Sequence, residues 1–372
     1  MSSDMPSEPV GSDDSVDSVV ISTLSDNPTA SNSSSGRVSR VAIDAMSGDG
    51  GTIVAVDAAR SVLKERSDVH LLLVGNPELI NDCMGNNPLP EGRYTLVPAS
   101  EVVTMDDSAA VALRTKKKSS MRLAINLVKE GEADACVSAG NTGALMAISK
   151  FVLKTVVGID RPAIASTMPA INGHTHMLDL GANVDSSATN LYQFALMGSI
   201  LAQAVDGIER PRVGLLNIGS EDLKGNEQVK GAAPLLAQSS LNYTGFVEGN
   251  EIFTDKVDVV VCDGFVGNVA LKTTEGVARL VSHFLKEEFK RSTWNKLVGL
   301  IARPVLRAFG SRVDPRRYNG ASFLGLRGVV VKSHGSADAL AFANAIDIAL
   351  LEIGTNVPTM IEARLGESLS AA

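Results

Sequence analysis

Ala135-Cys-Val-Ser-Ala-Gly-Asn-Thr-Gly-Ala-Leu-Met146 decides the fold class. It opens as a short apolar run, passes through the small, polar, glycine-bearing turn Ser138 to Gly143, and from Ala144 to Leu153 takes on helical spacing. A buried strand that ends in such a turn and leads into a helix is one unit of an α/β domain. Four other apolar runs close in the same way, at Asp179-Leu-Gly-Ala-Asn183, Asn217-Ile-Gly-Ser220, Asp263-Gly-Phe-Val-Gly-Asn268 and Lys332-Ser-His-Gly-Ser336. In an open parallel sheet the carboxyl ends of the strands converge on one crevice, where such turns present backbone donors. Glycine lets the backbone approach a ligand closely, and the following helix adds its positive end. The ligand implied is a compact anion, phosphate above all.

Working outward, Arg40 to Asp44 reads as a first strand, Ile53 to Leu63 as a helix and His70 to Gly75 as a second strand. The alternation continues with a helix from Met121 to Lys129, a strand from Met177 to Leu180, a helix from Leu191 to Ala204 and a strand from Val213 to Ile218. A helix near Val229 to Ala237, a strand from Val257 to Cys262 and a helix from Val269 follow, before a closing strand Gly328 to Lys332 and a helix from Ala337 to about Ile353. This order predicts a mostly parallel sheet covered by helices on both faces. Residues 38–366 then make a single domain, without internal repeat or obvious linker.

Composition narrows the function. Apolar residues are 44% of the 372, enough for a sizeable core, while aromatics are 4%, too few for a base-stacking platform. The net charge of -8 also argues against a nucleic-acid partner. Asp4, Glu8, Asp13, Asp14, Asp17 and Asp26 fall in the first 36 residues with no Lys or Arg, so only -2 remains for the rest. Residues 1–37 therefore read as a disordered, acidic, Ser-rich tail. No basic start with an apolar run marks a secretory signal, and no stretch is long enough to span a bilayer, so a cytoplasmic location is expected. Cys83, Cys136 and Cys262 lack metal-ligand spacing and suit a reducing compartment; no metal is expected.

Val281 to Ala308 breaks the pattern, with Phe284, Leu285, Phe289, Trp294, Leu297, Leu300 and Ile301 set among Lys and Arg. It reads as a projecting, basic, amphipathic helical pair spanning 281–310. Three uses stay open: a dimer interface or cover for the core, a surface resting on anionic lipid, or a dock for an acidic protein steered by Arg303 and Arg307. Trp294, Leu297, Arg303 and Arg307 are the docking candidates.

Within the turns, the amides of Ser138, Gly140, Asn141, Thr142 and Gly143 are placed to hold an oxyanion, against the alternative of a tight turn whose Asn caps a helix. Lys224 follows a buried strand in Ser220-Glu-Asp-Leu-Lys-Gly-Asn226, and its charge is expected to face a bound anion rather than a loop ion pair with Glu221 or Asp222. Asn268 starts a helix and can also donate to a substrate carbonyl. Asn183, Asp263 and His334 complete the substrate-binding candidates, although the unpaired spacing of Asp179, Asp185 and Asp263 favours hydrogen bonds within their loops. Gly48 to Gly51 is an incomplete dinucleotide fingerprint, and Gly325 to Ser333 lacks the glycine before lysine of a phosphate-cradling loop. No Gly-x-Ser-x-Gly elbow is present, so direct attack by phosphate on a carbonyl fits better than a covalent route.

At these turns the chain resembles the bacterial phosphate acyltransferases, which convert acyl-acyl carrier protein and inorganic phosphate into acyl phosphate for phospholipid synthesis. The likeness runs through Ile43 to Met46, Lys118 to Met121, Val137 to Met146, Leu178 to Asp185, Asn217 to Gly219, Val261 to Asn268, Tyr318 to Ala321 and Val331 to Gly335. It implies an isocitrate/isopropylmalate-dehydrogenase-like fold, a homodimer, no metal or nucleotide cofactor, and peripheral membrane association beside a membrane glycerol-3-phosphate acyltransferase that uses the acyl phosphate. It also makes Lys224 and Asn268 the catalytic candidates. The chain departs from the family at Met46-Ser-Gly-Asp49 and at Ser187-Ala-Thr-Asn190. Two other functions remain to be separated: an acyl-coenzyme A transferase of the phosphotransacetylase type, and a non-catalytic membrane scaffold of lipid synthesis.

Overall fold

The computed structural model describes residues 37–221 and 223–370. The expected tail lies outside the described residues, apart from Arg37. In chain order the elements are β1 (Ser39–Asp44), α1 (Thr52–Glu65), β2 (Val69–Gly75), α2 (Pro77–Met84), β3 (Tyr94–Pro98), α3 (Ala109–Thr115), α4 (Ser120–Glu130), β4 (Ala135–Ser138) and α5 (Thr142–Leu153). Then come β5 (Ala163–Ala170), β6 (Gly173–Leu178), α6 (Ala188–Asp206), β7 (Arg212–Leu216), α7 (Glu227–Ala237), β8 (Asn242–Val247) and β9 (Val259–Val261). The chain finishes with α8 (Gly264–Lys290), α9 (Thr293–Ile301), α10 (Arg303–Val313), β10 (Ala321–Leu324), β11 (Val329–Lys332), α11 (Ala339–Thr355) and α12 (Val357–Ser370).

All eleven strands form one sheet in the order β3-β2-β1-β4-β11-β10-β5-β6-β9-β7-β8. Five strands from β3 to β11 are mutually parallel, as are the four from β6 to β8. Between them β10 and β5 pair antiparallel with both neighbours, so the two parallel blocks run in opposite directions. The register then fixes where their ends fall. Val331 lies opposite Ser322, Ser322 opposite Ala165, and Ala165 opposite Leu178, which is itself level with Val261 and in turn Leu215. Lys332, Ser138 and Asp44 occupy the adjacent row. The blocks thus run past each other in opposite directions, their carboxyl ends overlapping by two residues. The carboxyl ends do fall in neighbouring rows, but two opposed blocks bring this about in place of a single uniformly parallel sheet.

Helices cover both faces. Alternate residues of a strand point to opposite sides, so in β9 Val260 joins one core layer while Val259 and Val261 join another. One layer packs α1 and α11 on the first block, and another packs α6, α7 and α12 on the second. The third layer, under α4 and α5, crosses from block to block. Burying a side chain such as Phe194 or Phe342, each under 2% exposed, contributes about 2–3 kcal/mol. α6 lies so close to the sheet that a Cβ at Gly198 would come within 2.6 Å of Val259 and 2.8 Å of Leu178.

The residues from Val281 do not open a separate pair. They continue α8, which runs unbroken for 27 residues, roughly 40 Å, because after its first turn only Gly276 departs from residues that a helix tolerates and no proline intervenes. Ser292 caps α9 by accepting from Asn295 N at 3.0 Å, and α9 folds back so that Gly299 meets the Phe289 ring. Of α8 only Gly264 and Gly267 are buried; Trp294, Ile301 and Val305 are 70–73% exposed. No single helix among the described residues is long and apolar enough to cross a membrane.

Candidate active site

Two groups of turns face each other where the blocks meet. On the first block, β1, β4 and β11 each close an apolar run on one polar side chain: Asp44, Ser138 and Lys332. Ser138 Oγ donates to Asp44 Oδ2 at 2.7 Å, and the amides of Ala139 and Gly140 donate to Ser47 Oγ and Ser138 Oγ, both at 3.1 Å. Asp44 Oδ1 is buried and has no partner among the described residues. Burial raises the Asp44 carboxyl above its ordinary range, with the hydroxyls of Ser120, Ser138 and Ser47 opposing. Lys332 is 8% exposed; its Nζ donates to Ala139 O at 3.2 Å and to Ser333 O. Burial pushes its ammonium down to about 8, against the pull of Asp44 and Asp49.

The turn after β4 is therefore partly engaged from within. Ser138 and Gly140 bond inward, and Asn141 Oδ1 caps α5 by accepting from Ala144 N at 3.0 Å while its Nδ2 donates to Met105 O at 2.8 Å. The amides of Thr142 and Gly143, in the first turn of α5, have no intrahelical acceptor and stay available to an anion at the helix's positive end. His334 is anchored by its amide to Asn319 Oδ1 at 2.8 Å, and its Nδ1 accepts from Ser336 N at 3.1 Å. Burial holds the His334 imidazole below its ordinary value, as do Lys332, Lys272 and Arg279, while Glu275 opposes. Three of these charges belong to α8, which therefore passes beside this turn.

On the second block, Asp179 organises the turn after β6. The Leu178-Asp179 peptide is cis, and the carboxylate accepts from Ile164 N (2.9 Å), Gly181 N (3.2 Å), Ala182 N (3.0 Å) and Asn183 N (2.7 Å). Asn183 Nδ2 is held by Asp179 Oδ2 and Pro162 O. Asp263 Oδ1 caps α8, accepting from Val266 N at 2.9 Å. Asn268, one turn further, lies against Gly181, where φ is +122° and an added Cβ would sit 3.5 Å from the Asn268 Cβ. Asn268 is on α8 about 10 Å of helix before Glu275, so α8 links the two groups of turns.

Lys224 sits in the loop after β7, and β7 is the neighbour of β9, which leads to Asp263. Its ammonium meets Glu221 Oε1 at 2.8 Å, and both side chains are largely exposed. The ion pair weighed as the alternative from sequence is thus the arrangement seen; Asp222 lies outside the described residues. Asn217 Nδ2 donates to Lys224 O at 3.2 Å, and Gly225, at φ +100°, leaves room for the Asn217 side chain. Trp294, Leu297, Arg303 and Arg307 are exposed on α9 and α10. Asp44 and Lys332 were not singled out from sequence. The signal was there: each is a charge that closes an apolar run, Val41 to Ile43 before Asp44 and Val329 to Val331 before Lys332.

The fold is that of an α/β protein whose glycine-bearing turns close the strands of two opposed parallel blocks. Residues 39–360 match the family described as "Fatty acid synthesis protein". A phosphate acyltransferase of Nitrosococcus oceani is 61% identical over 331 residues, 89% of this chain and 97% of the relative. One from Alkalilimnicola ehrlichii is 58% identical over 333 residues, with shares of 89% and 97%. The chain belongs to this family of phosphate acyltransferases. Among solved structures, a phosphotransacetylase from Streptococcus pyogenes matches with a TM-score of 0.58 at 16% identity, covering 85% of this chain and 94% of that one. A 4-hydroxythreonine-4-phosphate dehydrogenase from Klebsiella pneumoniae matches at 0.51 and 14%, covering 85% and 99%. At such identities these likenesses establish the fold alone.

Proposed function

We propose that this chain transfers a long-chain fatty acyl group from acyl-acyl carrier protein to inorganic phosphate, giving acyl phosphate for phospholipid synthesis. The observation that carries the reading is the 61% identity to a phosphate acyltransferase over 331 residues, 89% of this chain. Hydrogen phosphate attacks the thioester carbonyl through one oxygen, the C–O bond forms as a tetrahedral oxyanion, and the C–S bond breaks. The phosphate's proton passes to the departing sulfur, leaving acyl phosphate and a free thiol. Such a reaction needs positioning and charge stabilisation more than a protein nucleophile. The α5 amides of Thr142 and Gly143 and the Lys332 ammonium hold phosphate; Lys224 leaves Glu221 to neutralise phosphate or the oxyanion; Asn268 donates to the carbonyl oxygen.

The finer assignments belong to the same proposal. An acidic carrier protein and an anionic membrane surface both suit α8 to α10, where residues 264–310 hold eight basic and three acidic side chains beside exposed Trp294 and Leu297. Arg303 and Arg307 would steer either partner. A homodimer, a cytoplasmic protein peripherally bound to the membrane, and delivery to a membrane glycerol-3-phosphate acyltransferase complete the reading. It requires no cofactor.

The test is release of carrier-protein thiol from palmitoyl-acyl carrier protein, with and without phosphate, by wild type and Lys224→Ala. Phosphate-dependent release, reduced about 100-fold or more in the variant, is expected. Turnover of acyl-coenzyme A alone would transfer the chain to the phosphotransacetylase type, and silence with both donors would leave the scaffold.

A further inference from the structure

Away from the crevice, β6 and α6 bring two imidazoles and a carboxylate together. His174 and His176 are two residues apart on β6 and so share a face of the strand, and Asp206 is the last residue of α6. His176 Nε2 lies 2.6 Å from Asp206 Oδ2, and His174 Nε2 lies 3.1 Å from Asp206 Oδ1. The two rings meet edge to face with centroids 5.0 Å apart. One ligand atom from each residue falls within 4.8 Å of the others, and among the described residues no other trio of His, Cys, Asp or Glu does this.

We propose that His174, His176 and Asp206 form a binding site for a divalent transition metal, with zinc the ion that fits. Two imidazoles and one carboxylate are a borderline donor set that suits zinc, cobalt or nickel and not magnesium or calcium. Bonds of about 2.0–2.1 Å in a tetrahedral site separate the donor atoms by roughly 3.3 Å. The Nε2-to-carboxylate distances of 2.6 and 3.1 Å therefore need to open by well under an ångström. His174 and Asp206 are about one-fifth exposed, which leaves solvent access for a water as fourth ligand, whereas His176 is only 4% exposed. The surroundings favour a cation. Asp258 stands beside Asp206, and Arg212 is already bonded to Asp258 and Asp255.

His176 Nδ1 sets the strength. It is buried and has no hydrogen-bond partner among the described residues, so no acceptor orients the ring from behind. Outer partners of metal-bound histidines are worth roughly 10- to 100-fold in affinity, so this site binds more weakly than one with a complete outer shell. α6 is 19 residues long, roughly 28 Å, and its first residue follows the crevice turn, so the ion braces β6 to α6 at the end remote from the chemistry.

The experiment titrates the chelator-stripped full-length protein with zinc alone by calorimetry, and with cobalt followed by its visible absorption, in wild type, His174→Ala, Asp206→Asn and the control His70→Ala. One zinc per wild-type or His70→Ala chain is expected, with affinity reduced at least 10-fold in the other two. A zinc-dependent rise in melting temperature should appear only in the chains that bind. Equal uptake by His174→Ala and wild type, or no uptake by wild type, overturns the proposal. Should the variants fail to fold, the wild-type cobalt spectrum decides: four-coordinate absorption supports the site, and a six-oxygen spectrum refutes it.

Discussion

Gly267→Ala tests how Asn268 is positioned. Gly267 is buried in the first turn of α8, and a Cβ there would sit 1.8 Å from the carbonyl oxygen of Asp179 and 2.9 Å from Cys262 Sγ. Carbon and carbonyl oxygen normally approach no closer than about 3.3 Å, so the helix and the Asp179 turn must part by about 1.5 Å. The obstacle is backbone held by the Asp179 carboxylate network and cannot rotate away. Overpacking of this kind costs about 1–3 kcal/mol. Asn268 is the next residue, and displacing a positioning group by about 1 Å costs on the order of 100-fold in rate. Gly276→Ala is the control: it lies on the exposed part of the same helix with nothing within 4 Å of its Cβ, and should gain about 0.5–1 kcal/mol with no kinetic change. Phosphate-dependent thiol release gives kcat/KM, and thermal melts by circular dichroism report stability. A Gly267→Ala protein with wild-type kcat/KM and an unchanged Tm would refute the idea that contact between α8 and the Asp179 carbonyl places Asn268.

Lys332→Met keeps the length of a buried side chain and removes its charge. The KM for phosphate should rise about 10- to 100-fold, and the wild-type loss of phosphate affinity as pH climbs through about 8, where the ammonium deprotonates, should vanish in the variant. An unaltered KM for phosphate in Lys332→Met would show that the amine only props up Ala139. Glu352, fully buried on α11 and bonded by Ser322 Oγ, is pushed up to about 7 by burial. Its folded pKa exceeds the unfolded one, so the stability it contributes is intact below about 4.5 and is lost as pH rises through 7, on the order of 3 kcal/mol in all. Urea melts at pH 5 and pH 8.5 should show that Glu352→Gln gains on wild type at the higher pH only; a pH-independent difference would contradict this sign.

Much of the fold was legible because apolar strands and amphipathic helices keep different periods, which located β1, β2, β4, β7, β9, β11 and most of the helices. What escaped were β3, β5, β8 and β10. β5 carries Pro169 and a mix of small and polar residues, and β10, Ala-Ser-Phe-Leu, lacks the run of β-branched residues that marks β9 and β11, so neither stands out. Those two antiparallel strands are what reverse the second block, so the opposed arrangement could not be read without them. At the site, glycine spacing marked the turns correctly, but an Asn beside a helix start serves as cap or ligand by the same chemistry. Only coordinates show that Asn141 and Asn183 are already bonded within their own loops.

The central place of β10 and β11 bears on how the chain is made. They come from residues 321–332, late in a 372-residue chain, yet they fill the middle of the sheet between β4 and β5. While the chain is emerging from the ribosome, both halves are synthesised with an open, apolar strand edge waiting for a partner. A product truncated before residue 321 is therefore two unsealed fragments prone to self-association, and not a weakened enzyme. Quality control in the cell meets this protein as all or nothing, because the segment that completes the crevice is also the one that closes the sheet.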